Sequence, residues 1–523
     1  MRPMNTMRKS GSPETAQGGR PITEGAAVTE AAENGFPRGC VTPQPCALVI
    51  FGASGDLTHR MLIPALYNLE YDRLLADNFT VVGFSRQEKT DESFRAELRK
   101  SVSEAGDAKP FDEEAWKRLA ARLHYISGEY DDAASFARLA AFTDECRTEH
   151  GCTHFVYYLS VPPNVSETVL DTMKKTRLVV LGTEDVRTRI MLEKPFGMDL
   201  ESARRLSAIL DGMFDESQVY RVDHYLGKDT IRNLLIFRFA NAIWEPLWNN
   251  KYIDNVQITA TEEIGIEGRG GYYDGVGVVR DMVQNHVLQV LSLITMEPPV
   301  SGDPDSVRGK KLEILESVAP IAADDACFGQ YEGYRDEPRI AKDSCTPTFV
   351  AFRLFVNNWR WHGVPFYVRS GKKIARKVTE VAIRFKGVPT CVIDDPFVCR
   401  MLEPNVLYIR IQPDEGIKLS FTVKMPGRGD DLSAAEMDFK YSGFGVKLPN
   451  AYERIILDCL CGQATHFWRS DEVEAAWRVV EPLLESACRG NPKAFPNYTA
   501  GSWGPDAARE LLRRDNRRWL SSE

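Results

Sequence analysis

The densest group of reactive side chains in this 523-residue sequence is Arg221-Val222-Asp223-His224-Tyr225-Leu226-Gly227-Lys228-Asp229. His224, Tyr225 and Lys228 bring an imidazole, a phenol and an ammonium close together, a donor set suited to a phosphate dianion. A second candidate lies in Arg280–Leu291, read as an amphipathic helix with Val283, His286, Val287 and Val290 along one apolar stripe. In that stripe His286 fits a hydrogen-bonded core residue. At the rim of a pocket, oriented by a carboxylate, it becomes a general base with a pKa near working pH. Asp223 or Asp281 could be that carboxylate, and spacing does not choose between them. Lys194, in Glu193-Lys194-Pro195-Phe196-Gly197, is held extended by the proline that follows and can reach a hydroxyl or a phosphate.

Groups so far apart in sequence need a scaffold that gathers loops at one edge. Ala47–Phe51 is a short continuous apolar run, as expected of a buried parallel strand. It breaks at Gly52, and helix-like spacing resumes over Leu57–Leu69. A strand, glycine turn and helix in succession present backbone N–H groups at a helix N-terminus, where a pyrophosphate can be held. Gly52 and Gly55 supply the tight turn, although the pair is spaced G-x-x-G and the usual third glycine is absent. A second strand, Phe79–Phe84, runs into Ser85-Arg86. NAD-binding folds usually place an acidic residue there for the ribose 2′-hydroxyl, whereas a guanidinium suits a 2′-phosphate, so Arg86 favours NADP. His154–Val161 and Arg189–Leu192 are further strand candidates. Strands alternating with helices predict a doubly wound α/β domain whose ligands sit beyond the carboxyl ends of its strands, where Lys194 stands.

The composition, 43% hydrophobic and 27% charged, is that of a globular protein, and the length suggests two or three domains. A net charge of −9 gives no bulk attraction for nucleic acid or a membrane surface, and no apolar stretch is long enough to span a bilayer. The eleven cysteines are scattered without a CxxC pair, which predicts reduced thiols in a cytosol-like compartment. Cys459 and Cys461 have no second pair nearby, so a zinc site is not expected, nor any other metal. Residues 1–45 lack apolar periodicity and are expected to be disordered, without the apolar core of a secretory signal. Cys40 and Cys46, at the start of the folded body, read as ordinary thiols rather than a redox pair.

The blocks GASGDLT, EKPFG, RVDHYLGKD, EGRGGYYD, RDMVQNHVLQ and VPFYVRSGKK, in this order, resemble the glucose-6-phosphate dehydrogenase family over residues 46–510. The resemblance implies an α/β Rossmann-type dinucleotide-binding domain at 46–220. It also implies a β+α domain with a large, mainly antiparallel sheet at 221–523, through which subunits pair as a homodimer or homotetramer. Val256–Thr261, Thr348–Phe355, Val381–Phe385 and Val406–Ile411 have the β character this requires. The implied reaction, the first of the pentose phosphate pathway, oxidises C1 of glucose 6-phosphate to 6-phosphogluconolactone with hydride transfer to NADP, in the cytoplasm. His286 resembles the base, Asp223 its orienting carboxylate, and Lys194 the residue bridging substrate and coenzyme. His224, Tyr225 and Lys228 resemble the phosphate and sugar grip. Glu262, Asp281, Lys372, Arg376 and Gln412 match further sugar-binding positions, with the spacing from Lys372 to Arg376 one residue short. Gly52, Ala53, Ser54, Gly55, Asp56, Leu57, Thr58 and Arg86, with Lys194, match the coenzyme positions.

Three departures stand out. Asp229 replaces a glutamate at the end of the grip signature, and His59 and Met61 stand where other members often carry lysines. Some members hold a second, structural NADP. Lys377, Arg410 and Trp503 resemble parts of that site, whereas Ala382, Lys418, Ser420 and Asn450 depart from it, which leaves a second coenzyme open.

Overall fold

The structure, a computed structural model, describes residues 43–179, 187–390, 402–427, 431–445, 448–488 and 494–522. The expected disorder of the N-terminal extension and the reading of Cys40 lie outside the described residues, apart from 43–45.

Six strands form the first sheet: β1 (Cys46–Phe51), β2 (Phe79–Ser85), β3 (Leu123–Ser127), β4 (His154–Leu159), β5 (Arg187–Glu193) and β6 (Val219–Val222). Their order is β3-β2-β1-β4-β5-β6, and every pairing is parallel. β1 is buried along its whole length because both faces are covered. Ala47, Val49 and Phe51 join an apolar cluster with Phe136, Val169 and Leu170, while Leu48 and Ile50 join another with Leu66, Ile455 and Phe467. That two-sided burial is why the sequence reads as an unbroken apolar run. Chain order reverses between β1 and β4, which opens a crevice at the carboxyl ends of the central strands. The helix expected over Leu57–Leu69 forms as a π-helical turn, Thr58–Leu62, running into an α-helix at Ile63–Tyr71.

The second sheet has eight strands: β7 (Ile253–Thr261), β8 (Ala326–Gly329), β9 (Phe349–Phe355), β10 (Pro365–Gly371), β11 (Val378–Phe385), β12 (Val406–Gln412), β13 (Gly416–Lys424) and β14 (Leu432–Lys440). Their order is β14-β13-β12-β11-β7-β10-β9-β8, antiparallel throughout except for the β7–β10 pair. The parallel α/β unit and the large, mainly antiparallel sheet expected from the sequence are both present. The chain then returns to its beginning. Helix Ala451–Cys461 packs beside Ile63–Tyr71, with Asn68 Nδ2 donating to Glu453 Oε1 at 2.8 Å. Among the described residues no helix is long and apolar enough to cross a membrane. Cys46, Cys146, Cys152, Cys327, Cys345, Cys459 and Cys461 carry free thiols.

Candidate active site

At the end of β1 the chain turns through Gly52, whose φ of +86° is reached at little cost only by glycine. A Cβ at this position would lie 2.2 Å from the Ser160 carbonyl oxygen, so the turn closes against the end of β4 only because none is present. The Gly55 N–H donates to the Gly52 carbonyl at 2.8 Å, and the Thr58 hydroxyl to the same carbonyl at 3.2 Å. The helix beginning here leaves first-turn N–H groups without intrahelical partners, a cradle that fits a pyrophosphate. Ser54 Oγ lies 2.6 Å from Ser85 Oγ, joining this turn to the end of β2. The next residue, Arg86, is exposed, with its guanidinium 5.9 Å from the centre of the Tyr130 ring. Gly52 to Thr58 and Arg86 therefore share one edge of the sheet.

His286 belongs to a π-helical segment, Val279–Val287, that precedes helix Leu288–Thr295. The expected amphipathic helix thus begins with a wider turn than the 3.6-residue pattern supposes. His286 and Asp223, each 1% exposed, meet through Nδ1 and Oδ1 at 2.5 Å. Asp223 also accepts from the Tyr225 N–H at 2.9 Å, and its other oxygen faces Trp468 Nε1 at 3.5 Å. The Tyr225 ring stacks on His286 with centroids 4.1 Å apart, and the His224 ring stands edge-on to it at 4.5 Å. Burial lowers the pKa of His286, against the opposing pull of Asp223. Burial and the neighbouring His286 hold His224 well below its ordinary value. Asp223 is kept ionised: burial alone would raise its pKa, but His286 outweighs it and brings the pKa below the usual carboxylate range.

Asp281 occupies a different place. Lys194 Nζ donates to its carbonyl at 2.8 Å and approaches its carboxylate at 3.3 Å, while Lys372 Nζ lies 3.4 Å from the other carboxylate oxygen. Lys372 also pairs with Glu262. The two lysines outweigh the burial that would raise the Asp281 pKa and hold it well down. Geometry thus separates the two aspartates: Asp223 serves the imidazole, and Asp281 joins two ammonium groups. Across the site Lys228 bonds Gln412 Oε1, and Gln412 Nε2 donates to Thr379 Oγ1 at 3.0 Å. Thr379 Oγ1 in turn lies 3.2 Å from the Tyr225 hydroxyl. Burial brings the Lys228 pKa down to about 8. Asp229, the residue after Lys228, faces Arg454 at 3.5 Å.

Arg376 lies at the border of this cluster, sharing a recess with Gln412. It lines a basic recess of about 450 Å³ with Arg369, Trp503, Arg517 and Trp519. Arg369 is sandwiched there between Trp503 and Trp519, at 4.4 and 4.5 Å from their ring centres. Lys377, Arg410 and Trp503 border an adjoining recess together with Gln412 and Ser522. Arg410 is paired with Asp438, Lys418 bonds the Ser522 carbonyl, and Asn450 caps a helix. Trp468 and Thr379 were not singled out in the sequence. Each reaches the site from a distant segment, and no local pattern marks it.

A glycine turn at the switch point of a parallel sheet, beside a paired imidazole and carboxylate and several ammonium groups, defines a dinucleotide-dependent dehydrogenase of an anionic substrate. The comparisons with known proteins narrow that class. Residues 49–233 match the family model described as glucose-6-phosphate dehydrogenase, NAD binding domain, and residues 235–520 match glucose-6-phosphate dehydrogenase, C-terminal domain. The chain belongs to the glucose-6-phosphate dehydrogenase family, whose coenzyme is NADP. A glucose-6-phosphate 1-dehydrogenase of Chlamydia muridarum is 40% identical over 493 residues, covering 91% of this chain and 97% of the relative. A cytoplasmic glucose-6-phosphate 1-dehydrogenase of Arabidopsis thaliana is 41% identical over 481 residues, covering 90% of this chain and 91% of the relative. A solved glucose-6-phosphate dehydrogenase in complex with its substrate glucose-6-phosphate superposes with a TM-score of 0.83 at 34% identity. The superposition covers 92% of this chain and 99% of that one.

Proposed function

We propose that this enzyme oxidises C1 of glucose 6-phosphate to the 1,5-lactone, with His286 as the base and NADP as the hydride acceptor. The observation that carries the assignment of roles is the 2.5 Å contact between His286 Nδ1 and Asp223. It commits Nδ1 and leaves Nε2 to take the proton from the C1 hydroxyl. A lowered pKa keeps the ring neutral and receptive near neutral pH. Once the proton has moved, the fixed carboxylate of Asp223 stabilises the imidazolium. The bound coenzyme supplies a nicotinamide ring that accepts the hydride.

The other side chains bind and orient. His224, Tyr225 and Lys228 take the phosphate and sugar, with Gln412 setting the Lys228 ammonium. Glu262, Asp281 and Lys372 form a charged row along the sugar hydroxyls, and Arg376 acts from its outer side. Lys194, at the end of β5, reaches both substrate and coenzyme. Gly52 to Thr58 hold the pyrophosphate, and Arg86 reads the 2′-phosphate. Subunits pair through the large sheet as a homo-oligomer. Its edge strand β14 leaves Met437 57% and Phe439 41% exposed, apolar surface of the kind a second copy covers. The enzyme acts in the cytoplasm, and its free thiols suit that compartment.

The test is NADPH formation from glucose 6-phosphate by the intact protein and by His286→Asn. Turnover that falls by about two to four orders of magnitude, with glucose 6-phosphate binding retained, is the expected result. Undiminished turnover in the variant would remove His286 from the mechanism while leaving the activity.

A further inference from the structure

Lys228 and Tyr225 are joined behind the grip by a chain of hydrogen bonds whose direction is fixed by the groups themselves. An ammonium can only donate, so the Gln412 amide turns Oε1 to Lys228. Nε2 then faces the other way and donates to Thr379 Oγ1 at 3.0 Å. That hydroxyl accepts from the amide and gives its own proton to the Tyr225 oxygen, 3.2 Å away. Among the described residues the other group at the phenol oxygen is again Gln412 Nε2, a donor, at 3.5 Å. With donors on its protein side, the phenol is left to point its own proton into the site. Burial raises the Tyr225 pKa, against the Thr379 hydroxyl, which lowers it, so the phenol keeps that proton at working pH.

The chain of bonds depends on a local irregularity of the large sheet. Thr379 is 1% exposed on β11, in a row with Val381 and Ile383, which join the central apolar cluster. It pairs with Gln412 of β12, but the next residue, Glu380, pairs with Arg410, so Ile411 is an extra residue. Such a bulge re-aims the side chain beside it, here Gln412 towards Thr379. The Tyr225 ring is fixed as well, with His286 stacked on it at 4.1 Å and Lys228 Nζ 5.1 Å from its centre. Rotation of the phenol hydroxyl is the freedom that remains.

We propose that Thr379 is a positioning residue for the phosphate grip: by donating to the Tyr225 oxygen it turns the phenol proton towards the substrate phosphate, and by accepting from Gln412 it keeps the amide oxygen on Lys228. This rests on the reading of His224, Tyr225 and Lys228 as the grip. Thr379 acts on glucose 6-phosphate through those neighbours. Without its hydroxyl, the buried Gln412 Nε2 loses its nearest acceptor and the Tyr225 oxygen its nearest donor, so the phenol proton is free to turn back towards the protein.

The experiment measures KM for glucose 6-phosphate and kcat at pH 7 in Thr379→Val and Thr379→Ser, with circular dichroism and melting temperature to confirm folding. Valine keeps the shape and lacks the hydroxyl. Thr379→Val is expected to raise KM about tenfold and to leave kcat within about threefold, because Asp223 still holds His286. Thr379→Ser, which restores the hydroxyl, should keep KM within about twofold of the intact enzyme. In a Tyr225→Phe background the proton to be aimed is gone, and adding Thr379→Val should raise KM by less than about threefold. A folded Thr379→Val enzyme with KM within twofold of the intact one overturns the proposal. So does a Thr379→Ser enzyme as impaired as Thr379→Val, or a Thr379→Val effect undiminished by Tyr225→Phe. Should Thr379→Val not fold, Thr379→Ala, which adds no bulk, is read in its place. If Lys228→Met also left KM unchanged, the assignment of the grip would be at fault; a Lys228 effect without a Thr379 effect would refute the positioning role alone.

Discussion

Replacing Asp223 with asparagine isolates one charge in the proposed mechanism. The carboxylate and the imidazole are both buried and in direct contact, so little solvent screens them. Two unit charges at such range interact by about 4 kcal/mol at an effective dielectric near 20. The transition state has developed part of the imidazolium charge, so the loss expressed there is about 2–4 kcal/mol. At about 1.4 kcal/mol per tenfold, kcat should fall by about 30- to 700-fold. The upper end applies if the new amide turns its NH₂ towards Nδ1, because the ring then carries its proton on Nε2 and cannot accept another. KM for glucose 6-phosphate should change by less than about threefold, since His224, Tyr225 and Lys228 remain. The direction with pH also follows. Asp223 raises the His286 pKa against burial, so its removal lowers that pKa further. The base is active when neutral, and the acid limb of kcat/KM should therefore move to lower pH. Steady-state NADPH formation across the pH range, with circular dichroism to confirm folding, reads all three quantities. A kcat within threefold of the intact enzyme, or an acid limb that moves upward, would refute the assignment of Asp223.

Two further outcomes concern binding. Arg86→Ala should raise KM for NADP by about 10- to 100-fold and leave KM for NAD nearly unchanged, because only NADP carries the 2′-phosphate that a guanidinium can bind; equal effects on both coenzymes would show that Arg86 does not read that group. Lys228 has a pKa lowered to about 8 by burial, so its ammonium is present below that pH and is lost above it. KM for glucose 6-phosphate should then climb above pH 8 in the intact enzyme, whereas Lys228→Met should raise KM at pH 7 by about 10- to 100-fold and abolish the climb.

How much of this could be read from the sequence depended on whether the signal was local. β1 and β2 were legible because strands buried on both faces are continuous apolar runs. The glycine turn was legible because conformation and close approach limit residue 52 to one side chain. β13 and β14 were missed: β13 buries Lys418 between apolar residues, and β14 carries Glu436 and Asp438 on its exposed surface, so neither reads as an apolar run or a clean alternation. The π-helical turn around His286 has no signature in a 3.6-residue pattern, because the stripe fits either geometry. Asp223 and Asp281 were equivalent by spacing, since nothing local says which one meets His286 across the fold. Trp468 reaches Asp223 over hundreds of residues of chain, and such a contact is set by packing that no short motif encodes.

The return of the chain to its starting sheet has a consequence for biosynthesis. All six strands of the coenzyme sheet exist once residue 222 has been made. Yet the layer over Leu48, Ile50, Met191 and Val222 is completed by Ile455, Ile456, Leu460 and Phe467. Until those late residues leave the ribosome, one side of the sheet lacks part of its cover and presents apolar surface to the cell. Folding of the coenzyme half thus waits until residues up to Phe467 have emerged, and a chain stopped before residue 450 is a substrate for chaperones or proteases instead of a small working domain.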